Sequence, residues 1–389
     1  MRKIAIAFTQ NRALHAYTFP ILLCFLLIFF SGCSQPEPAK LPTLRIGHAP
    51  HDHHAPLYIA AMNQDFFKEN GGVYLKEITF REKYILITNN RPMAEIIIDS
   101  STGGKKLIRT LDENHNDITF GGVPAILSFI DKGSEMEILL PVNAEGAGLV
   151  VKTDMPVASW EEFIAYINNR AAPVKIGYKT SISVQNLIFE TALQTVSIPF
   201  TKNADDATVD DKVILVNLFG PKNLIPALQN GIIDGFVVNQ PYVAMAEHQG
   251  VGKMISSLSD LPPAGKWKNN PCCALAGNKK YVSENQQIVK PLLTLLLRAN
   301  QFITQNPEQS AVQIAKWLDI DPEIERLSLP SSKYTTEYDD DWNRGVSFWV
   351  ESMVEADKLN LDIKAAHEKG TLEDKIYNMQ IFTKARKDV

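Results

Sequence analysis

Four histidines fall within seven residues, His48, His51, His53 and His54, with Asp52 among them. An imidazole offers two distinct nitrogens for hydrogen bonding, and in its neutral form it is the commonest metal ligand. The loop therefore reads as a polar ligand-binding loop with His51, Asp52 and His53 as contact residues. A metal site completed by Asp52 is the sharper alternative. The spacing matches no standard zinc pattern and no second ligand pair is evident along the chain, so no metal and no cofactor is assigned. Cys272 and Cys273 stand side by side. Buried thiols, a vicinal disulfide and soft metal ligands are all open to them. Adjacent Cα atoms lie about 3.8 Å apart, below the usual disulfide span, which favours buried reduced thiols. They would matter to a metal only if the fold brought them to the histidine loop.

Three further segments carry binding chemistry. Lys179-Thr-Ser-Ile-Ser183 precedes a helical stretch. Free N–H groups at a helix start and the hydroxyls of Thr180, Ser181 and Ser183 make an anion site, or Ser183 simply caps the helix. Gly121-Gly122 lets backbone approach a ligand closely or makes a tight turn. Asn239-Gln240-Pro241-Tyr242 supplies uncharged amide donors and acceptors, with Asn239, Gln240 and Tyr242 as contact residues. That neutral wall favours an anionic or neutral ligand over a cation. No Gly-x-Ser-x-Gly elbow, P-loop, His-Glu-x-x-His or paired Cys-x-x-Cys motif is present, so no catalytic residue is assigned.

The elements that position these segments alternate short apolar strands with amphipathic helices, the pattern of an α/β protein. Strands are expected at 44–47, 73–80, 118–121, 137–142, 174–177, 213–216 and 234–238. Helices are expected at 56–70, 105–113, 124–132, 184–195 and 223–230, and the chain is mostly helical after 283. Gly71-Gly72 ends the first helix. Ser159-Trp-Glu-Glu162 and Ser283-Glu-Asn-Gln286 both read as capping boxes, and Pro307 as the first turn of a helix. Trp317, Trp342 and Trp349 read as packing aromatics. A change of unit near 153, with a return after 241, predicts one lobe from 44–152 plus 241–389 and another from 153–240.

Residues 1–32 read as an export signal. Arg2, Lys3 and Arg12 precede an apolar run from Ile21 to Phe30, too short to span a bilayer, and no acidic residue occurs before Glu37. Phe30-Ser-Gly-Cys33 resembles the lipobox of bacterial lipoproteins, with Phe30 in the usual place of Leu. The expectation is cleavage before Cys33, lipid on its thiol, and a polar linker over 33–43 that tethers an exported body to a membrane, facing the periplasm or cell exterior. Cleavage removes three positive charges and shifts the net charge from −5 to −8. With 45% hydrophobic and 21% charged residues in 389, the chain is neither disordered nor fibrous, and its acidity argues against nucleic acid as partner.

Several segments read together resemble one family. Leu44-Arg-Ile-Gly-His-Ala-Pro50, His54-Ala-Pro-Leu-Tyr-Ile-Ala60 and Phe66-Phe-Lys are similar to the start of the solute-binding proteins of ABC importers for nitrate, bicarbonate, taurine and alkanesulfonates, including relatives that bind the thiamine pyrimidine precursor. Phe120-Gly-Gly-Val-Pro-Ala125 resembles that family's turn after a short strand. The run Ala227 to Tyr242 resembles its most recognisable block, with Gln240-Pro241 in place of the usual acid-Pro pair. Pro271-Cys-Cys-Ala-Leu275 has counterparts in some members. The resemblance covers about 44–305. It implies a two-lobed α/β fold of the type II periplasmic-binding kind, each lobe a sheet flanked by helices, with a ligand cleft between the lobes. It also implies a small solute partner, an ABC permease with its ATPase, and no chemistry by the chain itself. Eukaryotic thiamine-pyrimidine synthases share the fold and use an active-site histidine with iron. A metal-dependent enzyme of that kind, or a metal or signalling receptor, is the alternative.

Overall fold

The computed structural model describes residues 40–389. The signal, Cys33 and most of the linker lie outside the described residues. Among the described residues no helix is long and apolar enough to cross a membrane.

The chain builds one sheet, leaves it for a second, and returns. β1 (Thr43–His48), β2 (Val73–Thr79), β3 (Lys83–Thr88), β4 (Arg91–Ser100), β5 (Ile118–Gly122) and β6 (Met136–Glu145) start the first sheet. β7 (Ala147–Lys152), β8 (Val174–Tyr178), β9 (Phe200–Thr201), β10 (Val213–Asn217), β11 (Gly235–Asn239) and β12 (Gly252–Ser257) make the second. β13 (Pro271–Asn278) and β14 (Ser332–Tyr334) complete the first. The strand orders are β14-β6-β13-β5-β1-β4-β3-β2 and β12-β7-β11-β8-β10-β9. β1 runs parallel to β4 and β5, and β8 parallel to β10 and β11, as helical crossovers require.

The first crossing is a single residue, Gly146, between β6 and β7. Its φ is +72°, and a Cβ there would lie 2.5 Å from His53 Nε2 and 2.3 Å from Ser332 Oγ, so only glycine fits. The second crossing spans 258–270. Sheet pairing places 147–152 and 252–257 in the second sheet, outside the expected 153–240 span. The reason is local: β6 runs into β7 with no helix or loop between them, and one glycine marks where the chain changes sheet.

Other elements differ from expectation in instructive ways. The helix expected over 56–70 breaks at Asn63 into Ala55–Met62 and Gln64–Glu69; the Asn63 side chain bonds back to the Ile59 carbonyl and across to Gln313. β3 and β4 form a hairpin that was not expected, turning at Asn89-Asn90, both with positive φ. The Ser159 box forms, with Glu162 N–H donating to Ser159 Oγ at 3.2 Å and Ala158 N–H to Glu162 Oε2 at 2.6 Å. The Ser283 box does not. Ser283 lies inside the helix Lys279–Glu284, its hydroxyl donating to the Lys280 carbonyl, and Asn278 is the cap. Pro307 opens the helix Pro307–Leu318, and Trp317, Trp342 and Trp349 are buried.

Candidate functional site

β1 ends in the histidine loop, and a short 3-10 turn over Asp52–His54 leads into the helix Ala55–Met62. The loop is not a solvated tip. His48, His51, His53 and His54 are all buried. The Tyr58 hydroxyl anchors it, donating to the Ala49 carbonyl at 2.9 Å, while Ala49 N–H donates to His54 Nδ1 at 2.9 Å. Because His54 Nδ1 accepts, Nε2 carries the proton in the neutral ring, and that buried atom has no protein partner.

His51, His53 and His54 line a small cavity of about 20 Å³ between the two sheets. Gly121, Gly122, Cys272 and Cys273 complete the first-sheet side, and Lys179, Ser183 and Gln185 face them from the second. His51 and Tyr242 also line a wider outer cavity of about 660 Å³, with Ser100, Lys106, Phe219 and Lys222. A third cavity, of about 550 Å³ beside Arg344, His367 and Tyr377, lies among the C-terminal helices, away from the sheets' meeting point.

The cysteines do meet the histidine loop. Cys272 Sγ is 3.2 Å and Cys273 Sγ 3.9 Å from His53 Nδ1, and the two sulfurs are 3.9 Å apart. Consecutive strand residues normally point to opposite faces. Here the pairing of β13 with β6 slips on both sides of Cys273, a bulge that turns both sulfurs to one side. The lack of a second ligand pair, on which a metal was set aside from the sequence, does not hold in three dimensions.

Burial governs the charges. It lowers His48 to about 4 and holds His51 and His54 well below the usual imidazole value, with neighbouring imidazoles adding to the effect. Lys179 is lowered by burial, and the thiols of Cys272 and Cys273 oppose that. Its ammonium donates to Asn239 Oδ1. A hydrogen bond from Cys273 holds Cys272 well below an ordinary thiol, with His53 and Lys179 assisting, while Cys273 is pushed up by that bond and by burial.

The residues expected from sequence divide into those on the cavity and those behind it. His51, His53, Gly121, Gly122 and Ser183 line it. Ser183 also caps the helix Val184–Thr195 by accepting from Asn186 N–H. Asp52 does not face the cavity; its carboxyl meets Glu325 and Ser328, and its pKa is raised by burial. Thr180 packs toward Gly104, and Ser181 is exposed. Asn239 holds Lys179, and Gln240 Oε1 accepts from Ala244 N–H, so both support the wall from behind. Tyr242 lines the outer cavity and a neighbouring one of about 390 Å³, not the small one between the sheets. Sequence reasoning passed over Lys179, His54 and Gln185 as contacts; the one signal available was a lysine closing an apolar strand.

A family model described as the NMT1-like family matches residues 37–319, well over half of the chain. The chain belongs to the NMT1-like family. Solved structures similar to this NMT1-like chain share its fold. The ligand-binding component of an ABC-type import system from Staphylococcus aureus, solved with zinc bound, superposes with a TM-score of 0.66 at 15% identity, over 88% of this chain and 99% of that one. The periplasmic nitrate-binding protein NrtA of Synechocystis gives 0.63 at 15% identity over 90% and 89%. The periplasmic aliphatic sulphonate binding protein SsuA of Escherichia coli gives 0.59 at 13% over 88% and 93%. An uncharacterised protein of Methanocaldococcus jannaschii is 31% identical over 137 residues, 35% of this chain and 94% of that protein. The NMT1-like chain therefore has the two-lobed periplasmic-binding fold, with its cleft where the sheets face each other.

Proposed function

We propose that this protein is the solute-binding component of an ABC importer, tethered to a membrane by lipid on Cys33 and doing no chemistry of its own. The observation that carries the reading is the small cavity between the sheets, lined from both sides by buried polar groups. His51 Nδ1, His54 Nε2 and Gln185 Oε1 are buried there without a protein partner. Unpartnered buried polar atoms cost about 1–3 kcal/mol each, and a ligand is the ordinary remedy. Closure would turn about Gly146 and the 258–270 crossing, bringing Lys179, Ser183 and Gln185 against the first lobe and excluding water. The closed protein would then present both lobes to a permease and its ATPase.

The Cys272–His53 approach of 3.2 Å also fits the enzyme alternative, since a thiol beside an imidazole is a nucleophile–base pair. Two measurements separate the readings. A thermal-shift panel of sulfonates, nitrate, bicarbonate, thiamine precursors, flavins and divalent metals should give a clear rise with one class, about 2.7 kcal/mol of added stability at a hundred times the dissociation constant. The bound solute should then be recovered chemically unchanged; recovery of a converted product would make the protein an enzyme.

A further inference from the structure

We propose that the cleft binds a soft divalent metal ion of the zinc type, held by His53 Nδ1 and the sulfurs of Cys272 and Cys273, with the fourth position open to the cavity. The inference rests on the receptor reading and names its solute. The three ligand atoms lie within 4.8 Å of one another, all on buried residues. Metal–sulfur bonds near 2.3 Å and metal–nitrogen bonds of 2.0–2.1 Å give a tetrahedron with sulfur–sulfur edges of about 3.8 Å and sulfur–nitrogen edges of about 3.6 Å. The observed edges are 3.9 Å between sulfurs and 3.2 and 3.9 Å to the nitrogen. One triangular face of the coordination shell is therefore already in place.

The ring of His53 is set for this role. Its Nε2 lies 2.9 Å from the Gly146 carbonyl, which can only accept, so Nε2 bears the proton and Nδ1 presents its lone pair to the thiols. A ligand histidine is oriented in this way, by a bond from its far nitrogen. Here the orienting carbonyl sits on the first crossing between sheets, so a metal on His53 is coupled to the place where the lobes turn. The cavity beside the three atoms, about 20 Å³, has room for a water-sized ligand and not for an organic ring. Two sulfurs and one imidazole select zinc-like and softer ions over magnesium or calcium. Gln185 reaches toward the same sulfurs from the second sheet, its Nε2 at 3.8 Å from Cys272 Sγ, and Lys179 lines the cavity beside them. Metal held on the first lobe would thus be covered by the second.

The test is titration of the full chain, purified without an affinity tag, with cadmium and cobalt salts. Expected is one ion per chain, with thiolate-to-metal charge-transfer absorption in the ultraviolet. That absorption should fall by about half in Cys272→Ser and in Cys273→Ser and vanish in the double variant. His53→Gln should weaken binding by more than about 100-fold. Circular dichroism on each variant, with Cys272→Ala and Cys273→Ala beside the serines, keeps loss of fold apart from loss of ligand. Absorption that survives in the folded double variant, or its absence in the native protein, overturns the inference. Scattering and an organic panel on the same sample separate the two proposals. An organic solute that compacts a protein blind to metal leaves the receptor standing and removes the metal. Metal bound with no compaction keeps the site and removes the receptor.

Discussion

The two walls of the cleft are made of different material. The first-sheet wall carries three buried imidazoles, two thiols and three glycines, held on the loop after β1, the start of the helix Gly104–Asp112, β5 and β13, with these three strands in the middle of an eight-stranded sheet. The second-sheet wall offers one ammonium, one hydroxyl and one amide, from the end of β8 and the helix after it. The first can hold a ligand with the second swung away. The second has little to bind with alone and contributes charge and cover. On the proposed receptor reading, recognition is concentrated on one lobe, and closure is the work of the other.

The largest expected effect separates the walls by pH. His48 lies beneath the first wall, its ring near the Tyr58 hydroxyl and edge-on to Trp317, and burial lowers it from 6.5 to about 4. The folded state resists protonation that the unfolded chain accepts. The stabilisation is therefore complete above the unfolded value and is lost as pH falls from 6.5 toward 4, by about 3 kcal/mol. Among the described residues of the second lobe, the only histidine is His248, which is exposed. Hydrogen exchange between pH 7 and 4.5 should show 43–62 losing protection well before 184–195. Uniform loss along the chain would break the contrast.

The glycines of the first wall give the next test. A Cβ on Gly121 would stand 2.3 Å from Ile108 Cδ1, whereas one on Gly122 would meet Val184 Cγ2 at an ordinary 3.5 Å. Gly121→Val should cost about 2–3 kcal/mol in denaturant unfolding through overpacking. Gly122→Ala should leave stability within about 0.5 kcal/mol. Equal costs would mean that neither glycine is there for close packing.

How much of this could be read from residues alone follows from what is local. Four imidazoles in seven residues stand out, and the loop's placement after β1 follows from one apolar strand. Asn89-Asn90 marked a hairpin that sequence reasoning missed, because the Ile-rich runs on either side do not alternate cleanly. The meeting of Cys272 with Cys273 and His53 was beyond reach. It depends on a slip in register between β13 and β6, and register is set by both strands together. Asp52 sits among the imidazoles in sequence, yet turns to Glu325, some 270 positions away. Lys179 opens the segment expected to make an anion site, but nothing local shows that β11 supplies Asn239 to receive it.

The second wall is tied down at its far end. Glu190, on the helix Val184–Thr195, is buried and receives Lys358 at 3.0 Å from the C-terminal part of the chain, along with Lys202 and Asn186. Lys358→Met removes this one contact between lobes while leaving Glu190 two partners. A loss of about 2 kcal/mol is expected. Small-angle scattering should show a larger radius of gyration than the native protein, and an unchanged radius would show that the pair takes no part in holding the lobes together.

The smallest effects compare two helix starts that look alike in sequence. Ser159 accepts from Glu162 N–H, and the Glu162 carboxylate in turn accepts from Ala158 N–H. Ser283 has the same spacing to Gln286 but lies in the last turn of a helix, and Asn278 does the capping five residues earlier. Ser159→Ala should therefore cost about 1 kcal/mol, while Ser283→Ala should be close to neutral. The two are measured side by side by urea unfolding, where a shift in midpoint at constant slope reports stability alone. A cost at Ser283 equal to that at Ser159 would mean that the break at Asn285 is not where that helix ends. The difference isolates what spacing cannot convey: a serine caps only where its own backbone is extended, as at Ser159, whereas Ser283 is already inside a helix.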